Sequence, residues 1–325
     1  MKISIAVPVY GVEKYIGRCA RSLFEQTYRD IEYVFVDDCT PDRSIDVLMQ
    51  VVEEYPDRKD AVRIIRNDVN KGLAATRRIA ISSCTGVFIY NVDSDDYIEH
   101  STINEMVQKQ NETDADIVSC HAYINDCQET NAFITPDYAC ARDMLVDILG
   151  NDIHHELWRY MLRKKLFEHK DIWSPKGLNV AEDWVLMSRL AYYAKSIALV
   201  DRHLYHYNDT NSASLMHNAR RQRHTAHTTI LGKIDILLVI RVFFIEHKEN
   251  ALTRIINNYI VKLLRTAIVL SLEKQDKLNY QKALMSGKRL NAEDEMKIWG
   301  NSLVKIAMQY YPLAVTLYII KKTIM

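Results

Sequence analysis

Glycine is scarce in this chain. There are nine in 325 residues, and the closest two, Gly11 and Gly17, are six apart. Neither a G-x-G-x-x-G dinucleotide fingerprint nor a G-x-x-x-x-G-K-[ST] phosphate loop can be written anywhere in it. A nucleotide bound here is held by something other than a glycine cradle. Cysteine gives equally little to build on. Cys19, Cys39, Cys84, Cys120, Cys127 and Cys140 include no C-x-x-C pair, and six in a chain of this length do not make a disulfide framework. They read as free thiols in a reducing cytoplasm. The amino terminus, Met1 to Pro8, has one basic residue, a short apolar run and no small-residue cleavage site, so it reads as a first strand rather than a signal peptide. Long apolar runs are missing too: Leu303–Ile320 comes nearest and is interrupted by Lys305, Gln309 and Pro312, short of the roughly 18–20 clean residues a membrane span needs.

Net charge is also absent, with 42 basic and 42 acidic side chains. The zero sum argues against nucleic acid as a partner, but it hides a split. Residues 1–215 carry 24 basic and 34 acidic groups; residues 216–325 carry 18 basic and 8 acidic. An acidic part with balance −10 is followed by a basic part with balance +10, and such asymmetry points to a charged partner. Apolar residues make up 48% and charged residues 26%, ordinary values for a chain with a packed core. The length fits one large domain with an extension, or two domains.

The first 120 residues alternate strand and helix patterns. Ile3–Val9, Ile31–Val36, Val62–Ile65, Val87–Val92 and Asp116–Cys120 read as strands. Between them, helical spacing covers Val12 to Phe24, a segment capped by Asp42 or Ser44 whose apolar face includes Ile45, Leu48, Val51 and Val52, Leu73–Ser83, and the surroundings of Ile103–Gln110. This alternation predicts a parallel sheet with helices on both faces and right-handed crossovers. After about Asn218 the pattern is helical, with apolar stretches at Ile230–Ile245, Leu252–Leu272 and Leu303–Ile320.

Carboxylates mark the site. Asp37-Asp38 and Asp93-Ser94-Asp95-Asp96 lie just past the carboxyl ends of two predicted parallel strands, where open α/β sheets bind ligands. A single Asp there is a turn residue; five at two strand ends repel one another and have raised pKa values unless a cation joins them. Mg²⁺ or Mn²⁺, held by one or two carboxylates and substrate phosphates, meets that need. A metal-bridged diphosphate also removes the need for a glycine loop.

These residues make the chain recognisable. Ser4 to Tyr10 with Glu13-Lys14-Tyr15, Ser22 to Tyr28, Val36-Asp37-Asp38, Asn70 to Arg77, Asp93 to Ile98, and later Glu182-Asp183-Trp184 resemble the family 2 glycosyltransferases, inverting enzymes of the GT-A fold. The resemblance is specific over residues 1–125, weaker to 215 and absent beyond. It implies a GT-A, Rossmann-like, mixed and mainly parallel sheet flanked by helices over 1–215 (nucleotide half 1–120, acceptor half 121–215), with a helical extension over 216–325. It also implies a nucleotide-sugar donor, a UDP-sugar first, a Mn²⁺ or Mg²⁺ ion, and a hydroxyl of a glycan or lipid-linked glycan as acceptor.

By the same resemblance Pro8, Val9 and Tyr10 border the nucleobase, and Asp38 accepts its N–H. Glu13, Arg66, Lys71 and Ser94 belong to the donor site, with Arg77 in the same nucleotide-facing segment. Asp93 serves the ribose side and Asp95 the metal, with Asp93 and His206 as further metal candidates. Asp183 is the expected general base, with Glu182 orienting the acceptor. Trp158 and Trp184 are candidates to stack on sugar.

The chain departs from the family pattern at Cys39-Thr40 (usually Gly-Ser), at Asn91-Val92, at Trp158-Arg159-Tyr160-Met161-Leu162 (usually Trp-Asn-Lys-Leu-Tyr) and at Asn208 (usually Arg). The last two fall in the acceptor region. The basic part reads as an ordinary helical domain with a solvated basic face, a helical lid or homodimer surface, or a peripheral contact with an anionic inner-leaflet surface. Two other functions stay open: a nucleotidyltransferase, for which Tyr10-Gly11-Val12-Glu13 is too poor in glycine, and an inactive scaffold in a polysaccharide assembly complex.

Overall fold

A computed structural model describes residues 1–125, 130–151, 155–175, 181–211, 226–273 and 277–287. It divides into two compact units, Met1–Leu145 with His154–Ser214, and Val146–Ile153 with Leu215–Met325. Leu303–Ile320 and Cys127 lie outside the described residues.

The first unit is built on one mixed sheet. Its strands are β1 (Ile3–Val9), β2 (Ile31–Asp37), β3 (Val62–Arg66), β4 (Phe88–Asn91), β5 (Tyr97–Ile98), β6 (Ile117–Asn125), β7 (Thr130–Phe133), β8 (Tyr160–Arg163) and β9 (Ile197–Asn208). They run in the order β3-β2-β1-β4-β8-β6-β9-β5, and β7, off this path, pairs with Ala122–Asn125 of β6. The pairs β3–β2, β2–β1, β1–β4 and β6–β9 are parallel, whereas β4–β8, β8–β6, β6–β7 and β9–β5 are antiparallel. The fifth predicted strand is therefore not a neighbour of β4. The four-residue β8 lies between β4 and β6, a segment too short and too mixed in composition to announce itself by period.

All seven residues of β1 and of β2 are buried, as continuous apolar runs in a doubly covered sheet should be. Helices α1 (Ile16–Phe24) and α2 (Ser44–Glu54) cover one face: Ile5, Val7, Tyr33 and Phe35 share a core with Cys19, Leu23, Phe24, Leu48 and Val51. Ala6, Val34 and Val36, one residue out of step, point to the opposite face, and α3 (Leu73–Ser83) packs on β1 and β2 through a stripe containing Ala80 and Ile81. Helix α4 (Thr102–Thr113) lies against β9 and β6. Helices α5 (Ala141–Asn151) and α6 (Glu182–Tyr193) follow in the chain.

The amino ends of β1, β2 and β4 are tied by one buried carboxylate. Glu32 is 4% exposed and accepts from Ser4 Oγ at 2.5 Å, Thr85 Oγ1 at 2.8 Å, Gly86 N at 3.2 Å and the Thr85 amide, with Lys2 Nζ 3.2 Å away. Glycine is required at 86 because a Cβ there would lie 2.7 Å from Ser4 Oγ and 2.8 Å from Lys2 O and Ser4 N. Burial alone would raise the Glu32 carboxyl; the bonds from Ser4, Thr85 and Lys2 outweigh it and hold it at about 2 instead of 4.5. A carboxyl depressed on folding stabilises above its unfolded value, and that contribution disappears as pH falls through the folded value. Glu32→Gln is expected to cost about 2–3 kcal/mol at neutral pH. Urea unfolding of the native chain and the variant should give curves that differ above about pH 5 and converge toward pH 2.

In the second unit α7 (Ala226–Glu246), α8 (Asn250–Glu273) and α9 (Lys277–Gly287) pack together. Ile234, Leu237, Ile240 and Phe244 of α7 and Ile256, Ile260 and Leu264 of α8 are buried. Arg241 Nε donates to Asn257 Oδ1 at 2.6 Å. Lys248, at φ +58, makes the turn between α7 and α8. No helix among the described residues is long and apolar enough to cross a membrane.

Candidate active site

Because β1, β2 and β4 run parallel, their carboxyl ends share one edge, and Tyr10, Asp37-Asp38 and Asp93 emerge there. Val9 pairs with Asp37, and the Asp38 amide donates to Val9 O at 3.0 Å. Asp38 is 3% exposed. Its Oδ1 accepts from Asn67 Nδ2 and Lys71 N, both at 2.8 Å, and its Oδ2 from Gly72 N at 2.9 Å. The carboxylate thus closes the loop between β3 and α3. Gly72 sits at φ +83, a conformation glycine adopts without strain. Asp38 first organises its own protein, leaving Oδ2 with one of these three bonds.

Of the three residues expected at the base, Tyr10 is 49% exposed, Pro8 is buried, and Val9 is wholly inside the core shared with α1 and α2. Val9 is an inward position of β1, and its carbonyl accepts from the Asp38 amide. Glu13 braces the loop after β1, accepting from Arg43 N at 3.0 Å while its own amide donates to Asp42. Thr40, one of the departures from the family pattern, donates its amide to Asp37 Oδ1 and accepts from Gly11 N. Arg66 is mostly exposed, 3.9 Å from the Asp37 carboxylate.

The acidic turn after β4 is held from several sides. Asp93 N donates to Tyr205 Oη at 3.2 Å, and Asp93 O accepts from Asp96 N at 3.0 Å. Ser94 is buried. Asp95 Oδ2 accepts from Asn211 Nδ2 at 2.8 Å, and its carbonyl from Asn208 Nδ2. Asp96 has no exposed surface; it accepts from Tyr205 Oη at 2.6 Å and Asn208 N at 2.7 Å. Asn208, where the family usually has Arg, thus serves this turn. Burial pushes the Asp95 carboxyl up, with Asp93 adding to it and Asn211 opposing; burial pushes Asp96 well up, helped by Asp95 and Asp93. A turn whose carboxyls are driven toward the neutral form by one another and by burial fits a divalent cation, and Asp93 and Asp95 supply hard oxygen donors. No cluster of three or more His, Cys, Asp and Glu side chains among the described residues is arranged to hold a metal by itself.

His206 does not belong to that turn. Its Nε2 is 2.7 Å from Glu99 Oε1, its Nδ1 is 3.4 Å from Asn125 Nδ2, and its ring stacks on Tyr97. Neighbouring residues of a strand face opposite sides of the sheet. Since Tyr205 reaches Asp93 and Asp96, His206 is turned away, and Asn211 is the residue that reaches Asp95. The tryptophans also depart from expectation. Trp158 is 7% exposed, stacked on Tyr205 and Tyr207, and Trp184 is 1% exposed; both pack inside the protein rather than offer a face to sugar.

Helix α6 begins with the Glu182-Asp183 pair, after Ala181 at φ +56. Arg77 of α3 joins this pair to the turn: its Nη2 donates to Asp93 Oδ1 at 2.8 Å, and its Nη1 donates to Glu182 Oε1. Asp183 is half-buried, and its Oδ1 accepts its neighbour's amide, Trp184 N, at 2.9 Å. Burial raises the Asp183 carboxyl, with His155 and Arg77 pulling down and Glu156 pushing up. Burial likewise raises Glu182 against the pull of Arg77. One guanidinium therefore links Asp93, in the same turn as Asp95, to Glu182 and its neighbour Asp183. Asn67, Tyr205 and Asn211 escape sequence reasoning. Arg77 had a signal, since Arg77, Ala80 and Ile81 share one buried helical stripe.

Known proteins give this geometry its relatives. The family described as "Glycosyl transferase family 2" matches residues 4–172, more than half of the chain. EpsJ of Bacillus subtilis, described as an uncharacterized glycosyltransferase, is 29% identical over 215 residues, covering 64% of this chain and 61% of EpsJ. The poly(ribitol-phosphate) beta-N-acetylglucosaminyltransferase TarS of Staphylococcus aureus is 25% identical over 273 residues, covering 80% of this chain and 44% of TarS. The chain thus spans about three fifths of EpsJ and less than half of TarS. TarS 1–349, solved in complex with UDP-GlcNAc, superposes with a TM-score of 0.70 at 20% identity, over 98% of this chain and 89% of that one. At that identity the likeness is one of fold, and it bears out the GT-A-like arrangement of a mixed sheet flanked by helices. With its strand-end carboxylates in that arrangement and the family pattern running from β1 past β8, the chain belongs to glycosyl transferase family 2.

Proposed function

We propose that the chain moves a sugar from a UDP-sugar to a hydroxyl of a glycan or lipid-linked glycan, inverting the anomeric carbon. One observation carries the reading: the acidic turn at Asp93 and the Glu182-Asp183 pair, far apart in sequence, meet on opposite arms of Arg77. In this reading the donor lies at the carboxyl ends of β1, β2 and β4, with Tyr10 at its rim and Asp38 and Lys71 beneath the nucleoside. Asp93 and Asp95 hold Mn²⁺ or Mg²⁺. That ion, when bound, offsets charge on the departing nucleoside diphosphate. Asp183 takes the proton of the acceptor hydroxyl as the oxygen attacks the anomeric carbon opposite the leaving group. The donor class is supported by TarS, solved with UDP and with UDP-GlcNAc. The metal is supported by a mannosyltransferase from Pyrobaculum calidifontis, solved with GDP-Man and Mn²⁺ (TM-score 0.54). The basic balance of residues 216–325 supports an anionic or lipid-linked acceptor met at the inner face of a membrane.

Hydrolysis of UDP-GlcNAc, UDP-glucose, UDP-galactose and GDP-mannose with Mn²⁺ tests the proposal. One UDP-sugar is expected to release UDP, and proton NMR taken before mutarotation is expected to show the inverted sugar. Release from GDP-mannose alone, or a retained configuration, contradicts it.

A further inference from the structure

We infer that Arg77 is a positioning residue: its guanidinium holds Glu182, and with it the first turn of α6 that carries Asp183, in register with the Asp93 end of the donor site. This rests on the donor-and-base reading above and gives a task to a side chain that is itself only 4% exposed.

The cost of the arrangement points to a role beyond anchoring. A buried guanidinium repays its desolvation only when its donors are fully satisfied, and apolar replacements of buried ion pairs are often neutral or stabilising. Among the described residues Arg77 Nε has no hydrogen-bond partner, and the neighbours of Arg77 on its helix stripe, Ala80 and Ile81, are apolar. An aliphatic side chain would anchor α3 at lower cost. What such a side chain cannot do is hold two carboxylates on two separate elements. The planar fork sends one Nη to the end of β4 and the other to the start of α6, a task a lysine ammonium cannot duplicate.

Charge leads to the same assignment. Among the described residues, Asp93 and Glu182 both pair with the Arg77 guanidinium. Without it those carboxylates face one another across a buried site and repel. Asp183 follows whatever Glu182 does, because the two are adjacent and Asp183 Oδ1 is fixed to the helix by Trp184 N. A displacement of about 1 Å at a base costs on the order of 100-fold in rate.

The test is a double-mutant cycle in the full chain, read as kcat and KM for the UDP-sugar turned over in the panel above, with UDP affinity measured by calorimetry in Mn²⁺. Arg77→Met is expected to lower kcat about 100-fold while UDP affinity changes by less than about three-fold. Glu182→Gln should also lower kcat. The double variant should be no worse than about three-fold below the poorer single, since both break one linkage. Arg77→Lys keeps the charge and guards against a folding defect; it should retain the native melting temperature without recovering kcat. Losses that multiply in the double variant would overturn the inference. So would an Arg77→Met variant that keeps kcat and only loses UDP affinity. Failure of the native chain to bind UDP would reject the donor reading itself, and is seen before any variant is made.

Discussion

Asp183→Asn is expected to lower kcat for sugar transfer by about 1,000-fold and to leave UDP affinity within about two-fold, because a positioned general base contributes on the order of 100- to 10,000-fold. The asymmetry follows from position. Asp183 lies at the start of α6, on the far arm of Arg77 from the acidic turn, and its Oδ1 accepts from Trp184 N within its own helix turn. Asparagine preserves size and can keep accepting from that amide, so the fold should not suffer. The carboxyl is also raised by burial. A base must be ionised to act, so kcat should fall on the acid side, and with a raised pKa the fall begins at a higher pH than an ordinary carboxylate would give. The pH–rate profile of the native enzyme checks this: an acid limb confined to the usual carboxylate range near 4 argues for another base. Full transfer activity in Asp183→Asn would remove the assignment.

Asp95→Asn carries the second large effect. Asp95 is one of the two carboxylates proposed to hold the metal; its Oδ2 accepts from Asn211, and its carbonyl from Asn208 and, at 3.5 Å, from Arg18. Replacing it removes a charged ligand and leaves the turn's backbone bonds in place. Turnover with Mn²⁺ should drop by at least about 1,000-fold, given that metal and preorganised charge at a leaving group each contribute several kcal/mol. The variant should be as stable as the native chain or more so, since burial and Asp93 both push Asp95 toward its neutral form. Thermal melts without metal check that half of the prediction. A variant that is folded, stable and still activated by Mn²⁺ would move the metal elsewhere.

The central strands were legible because their residues had little choice. Ile3–Val9 and Ile31–Asp37 are β-branched, aromatic or apolar with almost no interruption, and only a strand covered on both faces suits such runs. Leu73–Ser83 was legible as a helix that is Ala-rich at its start and stops short of Gly86. The acidic clusters were legible for a topological reason: parallel strands deliver their carboxyl ends to one edge. What escaped the sequence depends on contacts between distant segments. β8 has four residues and finds its place through β4 and β6, which lie before it in the chain. Asn67 and Asn211 are single polar residues in loops, and nothing local marks them as partners of Asp38 and Asp95. The surroundings of His206 depend on the alternation of β9, which gives the acidic turn to Tyr205 and sets the histidine against Tyr97 and Glu99.

Chain-level charge takes on a local meaning here. Part of the acidic excess of residues 1–215 is the set of carboxylates gathered at one sheet edge, which in the proposed reading hold a cation. Calorimetric titration of the native full chain with UDP, with and without Mn²⁺, tests this most directly. The account predicts saturable UDP binding with Mn²⁺ that weakens at least about ten-fold when the metal is removed, a difference of about 1.4 kcal/mol. UDP binding of equal strength with and without metal, or none in either condition, would contradict it.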